Sequence, residues 1–584
     1  MASAHHPKSG ASNSLRGDGV RDIRVVDYAI AGAGTAGCPL AKFLSDDPSV
    51  SVHVGEGGSD TRTDPAVLDP ENDAMTLPTP KYHWLFGADI RPISPNADFG
   101  VYPVYLEGRM WGGSSGHNFL LTVRGTPGLY REWATVDPQW DYNALLPAML
   151  ALETYTSVSG VVNTAQRGTN GPLFVTEDDE ANLTPDNPLL PVLASVAGVT
   201  LSPDYNDPTQ GVYVAGPSQN YETPTDPPQR SWSASAFLGP DVVTTNADGD
   251  GVGVGNRDLF IDSDAVAIRL LFEDDFTDEE LTAIDREFGF PRLTGNSTCR
   301  KCRRAQCEAC AIAGRLNVIG VRYVVEDHFV DVLARVKVIS CLGGVADPAL
   351  LQFSGIGPRD VLEPLGIEVR LENPNVGRNM QNHAGPTAII PFDPTIPGFG
   401  FQAFFPDPDS GPDGPRGFQA IVLGNVFFPG GAAFILADLR PNRNGTVTIQ
   451  RKGLSEPFID FSFYEGSDMA DAIRMLRLVR DISLATTGQE PIAPDASVYA
   501  AGDEALAEFI LANTVIFNHN SGTCRMATSA AGGVVDGNLD VFGVAGLAIA
   551  SNSIAPSIED GNTAWTAYII GMTKAKIEGA PVPF

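Results

Sequence analysis

The chain is poor in positive charge and in cysteine, and it has no long apolar run. Lysine and arginine number 39 against 71 acidic residues, a formal net charge of -32. A surface of that sign repels nucleic-acid phosphates and anionic lipid headgroups, so no nucleic acid is expected as a partner. No stretch of about 20 apolar residues is present, so no membrane span is expected. The first 20 residues, MASAHHPKSGASNSLRGDGV, lack the apolar core of a secretion signal. Cytoplasmic residence is therefore the default, with the location open if a leader has been removed. What is plentiful is apolar residues at 43%, glycine at 61 and proline at 45, which describes a well-buried chain with many tight turns. At 584 residues it exceeds what a single core usually supports, so two or more domains are expected.

Residues 23–58 read IRVVDYAIAGAGTAGCPLAKFLSDDPSVSVHVGEGG. The apolar run Val25 to Ala31 predicts a buried parallel strand. It enters GAGTAG, whose first glycine, Gly32, lets the chain turn. The second, Gly34, lets backbone approach a pyrophosphate, and the third, Gly37, lets helix pack on strand. A helix is expected from about Thr35 to Leu44, its N-terminal amides facing the phosphates. A second strand, Val50 to Val54, leads to Glu56, suitably placed for a ribose hydroxyl. An acid there favours a free 2′-hydroxyl, hence FAD or NAD.

Four separated blocks then resemble the glucose–methanol–choline (GMC) family of FAD oxidoreductases. They are AGAGTAGC at 31–38 with VGEGG at 54–58, and GRMWGGSSGHNFLLTVRG at 108–125. GGVADPALLQFSGIGPRDVLEPLGIEV at 343–369 follows, with NVGRNMQNH at 375–383. The last is HNSGTCRM at 519–526 with VVDGNLDVFGVAGLAIASNSIAPSIEDGNTA at 534–564. The resemblance spans almost the whole chain. It implies an α/β and α+β protein, with a Rossmann-like FAD-binding domain (20–125, 230–385, 510–584) and an antiparallel-sheet substrate domain (126–229, 386–509). It places Gly32, Gly34, Thr35, Ala36, Glu56, Gly113, Ser114, His117, Asn118, Val266 and Thr563 at the cofactor. Three departures stand out: Gly57 replaces an alanine, Gln381-Asn382-His383 replaces QDH, and asparagines flank His519 at 518 and 520.

The loop GGSSGHN resembles the choline-oxidase and pyranose-dehydrogenase branches, where the matching histidine carries the flavin covalently. For His117 two readings follow, a covalent anchor or a hydrogen-bonding neighbour. For Asn118 they are orienting a substrate oxygen or stabilising the loop. Removing a hydroxyl proton calls for a base, and histidine suits that work. The resemblance assigns it to His519, with Asn562 as the orienting partner, since asparagine cannot serve as a base. The implied activity is oxidation of a small-molecule alcohol to a carbonyl, with oxygen as acceptor and release of peroxide. The alternative is an alcohol or sugar dehydrogenase using a quinone or other acceptor. A non-catalytic flavin-binding or structural protein is the remote third.

Four of the seven cysteines, Cys299, Cys302, Cys307 and Cys310, form C-x2-C-x4-C-x2-C. The spacing suits zinc, with an iron–sulfur cluster, disulfides or unligated thiols as alternatives. Residues 270–311 are expected to form an insertion before a strand at 320–324. Cys38, Cys341 and Cys524 are expected to be packing residues. Phe399 and Phe401 are expected to line a pocket or to sit in the core. The helical stretch 468–485 is expected to pack on the substrate-domain sheet, and a helix to run from Thr563 to about Lys576. Oligomeric state is open.

Overall fold

A computed structural model describes residues 21–70, 78–94, 104–178, 187–290, 316–407, 410–411, 414–427, 429–450 and 457–584. Ten strands form the first sheet. At its centre lie β1 (Arg21–Ala31) and β2 (Ser51–Gly55), joined through helix α1 (Gly37–Ser45). They are flanked by β3 (Asp258–Asp262), β4 (Ala265–Phe272), β5 (Leu316–Val325) and β6 (His328–Ser340) in the order β3-β2-β1-β6-β5-β4. Pairing is parallel from β3 to β6 and antiparallel from β6 to β4. The central parallel strands are buried where both faces are covered, β2 throughout and β1 from Tyr28 to Ala31. Helix α2 (Gly343–Phe353) follows β6 directly.

The second sheet has seven strands. Its middle is antiparallel, β7 (Ala384–Pro391), β10 (Gly431–Asp438), β9 (Arg416–Gly424) and β8 (Phe399–Pro406) lying side by side. Period-two alternation gives it two faces. Phe399, Phe401, Ala420, Val422 and Phe434 point outward, into a core shared with helix α3 (Asp468–Thr487) through Met475, Leu476 and Val479. Phe399 and Phe401 are therefore core residues, and α3 packs where its spacing predicts. The opposite face carries Gln402, Gln419, Ile421, Leu423 and Ile435 toward the first sheet. β11 (Leu547–Ile549) joins the first sheet beside β6, and helix α4 (Ala564–Ile577) closes the chain against α1.

Boundaries differ in detail from the sequence reading. Helix α1 begins at Gly37 because 32–36 are spent on the turn; Gly32 has φ +96, open to glycine and costly for other residues. The expected insertion starts too early, since Leu270, Leu271 and Phe272 complete β4 by pairing with β5. The four clustered cysteines lie outside the described residues. Cys38, Cys341 and Cys524 are buried free thiols, and burial pushes Cys38 up to about 12. No described helix is long and apolar enough to cross a membrane.

Candidate active site

One cavity of about 1780 Å³ runs between the parallel strands and the inner face of the second sheet. Its floor is built by backbone. The turn 32–36 presents Gly32, Gly34, Thr35 and Ala36 to it. The GGSS loop packs directly on that turn, where Gly112 N donates to Ala33 O at 2.7 Å. A Cβ on Gly113 would stand 2.8 Å from Gly34 Cα, and one on Gly37 would stand 2.1 Å from Gly32 O. Neither loop tolerates a side chain at these contacts.

Glu56 is buried at the end of β2 and accepts from Ala33 N at 2.8 Å and Gly58 N at 2.9 Å. Burial raises its carboxyl to about 7, against those two hydrogen bonds. Each oxygen keeps a second acceptor direction for a hydroxyl in the cavity. Val266 on β4 lines the same end. Ser114 lines it too, its Oγ accepting from Gly108 N at 3.0 Å. Asn118 also lines the cavity, and its Oδ1 accepts from Arg230 at 2.8 Å and from Leu120 N at 3.2 Å, contacts that hold the loop.

His117 stands at the cavity wall with its ring edge-on to His83, centroids 4.8 Å apart. Its Nε2 is buried without a hydrogen-bond partner. Burial, then the charges of His83 and Arg230, push its imidazole down to about 3, so it stands neutral. A volume of this size, a glycine floor that no Cβ could share, a buried acid over the turn and an orphaned nitrogen at the far wall fit one group. That group is FAD.

At the other end His519 and Asn562 meet, Asn562 Nδ2 lying 3.4 Å from His519 Nε2. Thr563, at the N-terminus of α4, lines the cavity beside them. His519 is half-buried at the cavity wall, and desolvation by the surrounding protein pushes its imidazole from 6.5 to about 3. It is thus neutral at working pH, rather than poised near neutrality as its expected role suggests.

The residues that hold His519 are those of the altered QDH. Segments 381–383 and 517–521 run side by side: Phe517 N donates to His383 O, and Gln381 and Ser521 exchange backbone bonds. Asn382 Oδ1 accepts from His519 N at 2.8 Å. His383, fully buried, places Nδ1 2.9 Å from His519 Nδ1. Two ring nitrogens at that distance share one proton, so one imidazole donates and the other accepts. The departure from QDH falls on Asn382, which accepts from the His519 amide; His383 matches the pattern, and spacing says nothing of its partner 136 residues away.

Chain 302–385 and 441–571 match the GMC oxidoreductase family. The chain belongs to that family. Over nearly its whole length it is similar to oxygen-dependent choline dehydrogenases. The Pectobacterium carotovorum protein is 26% identical over 93% of both chains, and the Pseudomonas syringae pv. tomato protein 27% identical over 95% of this chain and 94% of its own. Among solved structures, pyridoxine 4-oxidase from Mesorbium loti superposes with TM-score 0.71 at 22% identity, covering 94% of this chain and 98% of its own. Formate oxidase does so with TM-score 0.73 at 18% identity, covering 95% and 98%. As a GMC oxidoreductase the protein is an FAD-dependent enzyme that oxidises an alcohol or sugar. Among the described residues no cluster of three or more His, Cys, Asp or Glu is placed to hold a metal.

Proposed function

We propose that His519 takes the hydroxyl proton of a small alcohol while Asn562 orients its oxygen, the product being the carbonyl compound. When bound, FAD supplies the two-electron acceptor for the oxidation. The observation that carries the reading is the convergence of His519 Nε2 and Asn562 Nδ2 on one point of the cavity. A neutral imidazole offers a lone pair there. With Nε2 unprotonated and facing the Asn562 NH₂, the His519 proton sits on Nδ1 and is donated to His383 Nδ1. The test is His519→Ala in the FAD-loaded enzyme: flavin bleaching by alcohol is expected to slow by ~10²-fold or more. An unchanged rate removes the role.

His117 is proposed as a covalent anchor for the flavin, supported by its buried, unpartnered and neutral Nε2. Acid precipitation checks it, because yellow colour stays with the pellet only if the flavin is tethered. Two acceptors are kept. Oxygen is named both by the curated relatives, which are oxygen-dependent choline dehydrogenases, and by the oxidases among the structural neighbours; a quinone-like or other non-oxygen acceptor rests on the word dehydrogenase alone. Peroxide yield measured beside dye reduction separates them.

A further inference from the structure

Asn562 is not free to turn. Its Oδ1 accepts from Gln419 Nε2 at 3.2 Å, the same nitrogen donates to Gln402 Oε1 at 2.8 Å, and Gln402 Nε2 donates to Ser218 Oγ at 3.3 Å. Gln402 and Gln419 are buried, on the cavity side of β8 and β9. A single thread of amides thus runs from the sheet wall to the base. It has a direction. As it stands, Gln419 spends both its N–H bonds and leaves Asn562 presenting its NH₂ to His519 Nε2. Reversing every amide would satisfy the same contacts, but would aim Asn562 Oδ1 at Nε2 and require a proton there. The two directions differ in one respect that matters chemically, namely which nitrogen of His519 holds the proton.

We propose that Gln419 is a positioning residue that sets the direction of this thread, and through Asn562 keeps His519 Nε2 unprotonated for the alcohol. The inference rests on the His519 base reading. Glutamate is the discriminating substitution, because a carboxylate can only accept and forces both neighbouring amides to turn their NH₂ groups toward it. Asn562 then presents its oxygen to His519, and the proton moves from Nδ1 to Nε2.

The experiment is ¹⁵N NMR of the FAD-loaded enzyme labelled at histidine, with the His519 signals identified by their loss in His519→Asn. The unmodified enzyme is expected to show an unprotonated Nε2. Gln419→Glu is expected to show a protonated one at high pH and to return to the original pattern as acid protonates the introduced carboxyl, which can then donate. Bleaching by benzyl alcohol is expected to follow, about 10²-fold slower at high pH and recovering toward low pH, a direction opposite to that of a titrating base. Gln419→Met, which holds neither direction, is expected to give a mixture of the two patterns and guards against a folding defect in the first variant. An Nε2 that stays unprotonated in both variants overturns the inference. A protonated Nε2 in the unmodified enzyme overturns the base reading beneath it.

Discussion

The floor and the wall of the cavity are made on different principles. On the floor, main chain carries the contacts: the 32–36 turn and the GGSS loop touch through glycines, and the side chains tied in there bond to backbone, Glu56 through the Ala33 and Gly58 amides and Ser233 through the Thr35 carbonyl. On the wall, side chains meet side chains: His383, His519, Asn562, Gln419 and Gln402 form one connected set, with aliphatic Ile421, Leu423 and Ile435 beside it. Backbone geometry admits few residue types and is unforgiving. A side-chain network tolerates substitution of volume but is sensitive to the position of a proton.

That contrast predicts unequal responses to mutation. The largest belongs to the floor. Gly37→Ala puts a Cβ 2.1 Å from Gly32 O, and neither backbone can yield; the protein is expected to lose bound FAD altogether, read from the flavin absorbance of the purified chain. On the wall, Asn562→Ala is expected to keep FAD and slow flavin reduction by about tenfold, the worth of one hydrogen bond near 1.4 kcal/mol. Ile421→Val removes one methylene from the wall and is expected to cost about fourfold in kcat/KM for a bulky alcohol, ~0.8 kcal/mol, with flavin content unchanged. The smallest effect is that of pH. His519 is neutral above about 3, so the limiting rate of flavin reduction is expected to stay flat from about pH 5 upward and to fall only as acid approaches that value. A rate that climbs with pH through 6.5 breaks this account, since it assigns the base an unshifted imidazole.

The same division decides how much could be read in advance. The strand, turn, helix and acid of 23–58 are legible because glycine stands where no other residue fits, a requirement written locally. His519 and Asn562 are legible through family spacing, and the structure brings them together across 43 positions. The amide thread is not legible. Alternation in 399–424 tells which side chains share a face, but the pairing of Gln402 with the strand bearing Gln419 depends on hairpin register. His383 is visible only as the histidine of the QDH-like stretch, and its role is not, because its ring partner comes from a segment far along the chain. The neutral state of His519 was hidden for another reason: burial, and not residue type, moves its pKa.

The bond from Gly112 N to Ala33 O has a consequence for protein engineering. It couples the histidine-bearing loop to the 32–36 turn main chain to main chain, so neither segment is a portable module. Grafting 108–118 onto a related scaffold to place a histidine as His117 is placed here requires 31–38 to travel with it. A graft that leaves the recipient's own turn in place will carry the histidine without fixing its position in the cavity.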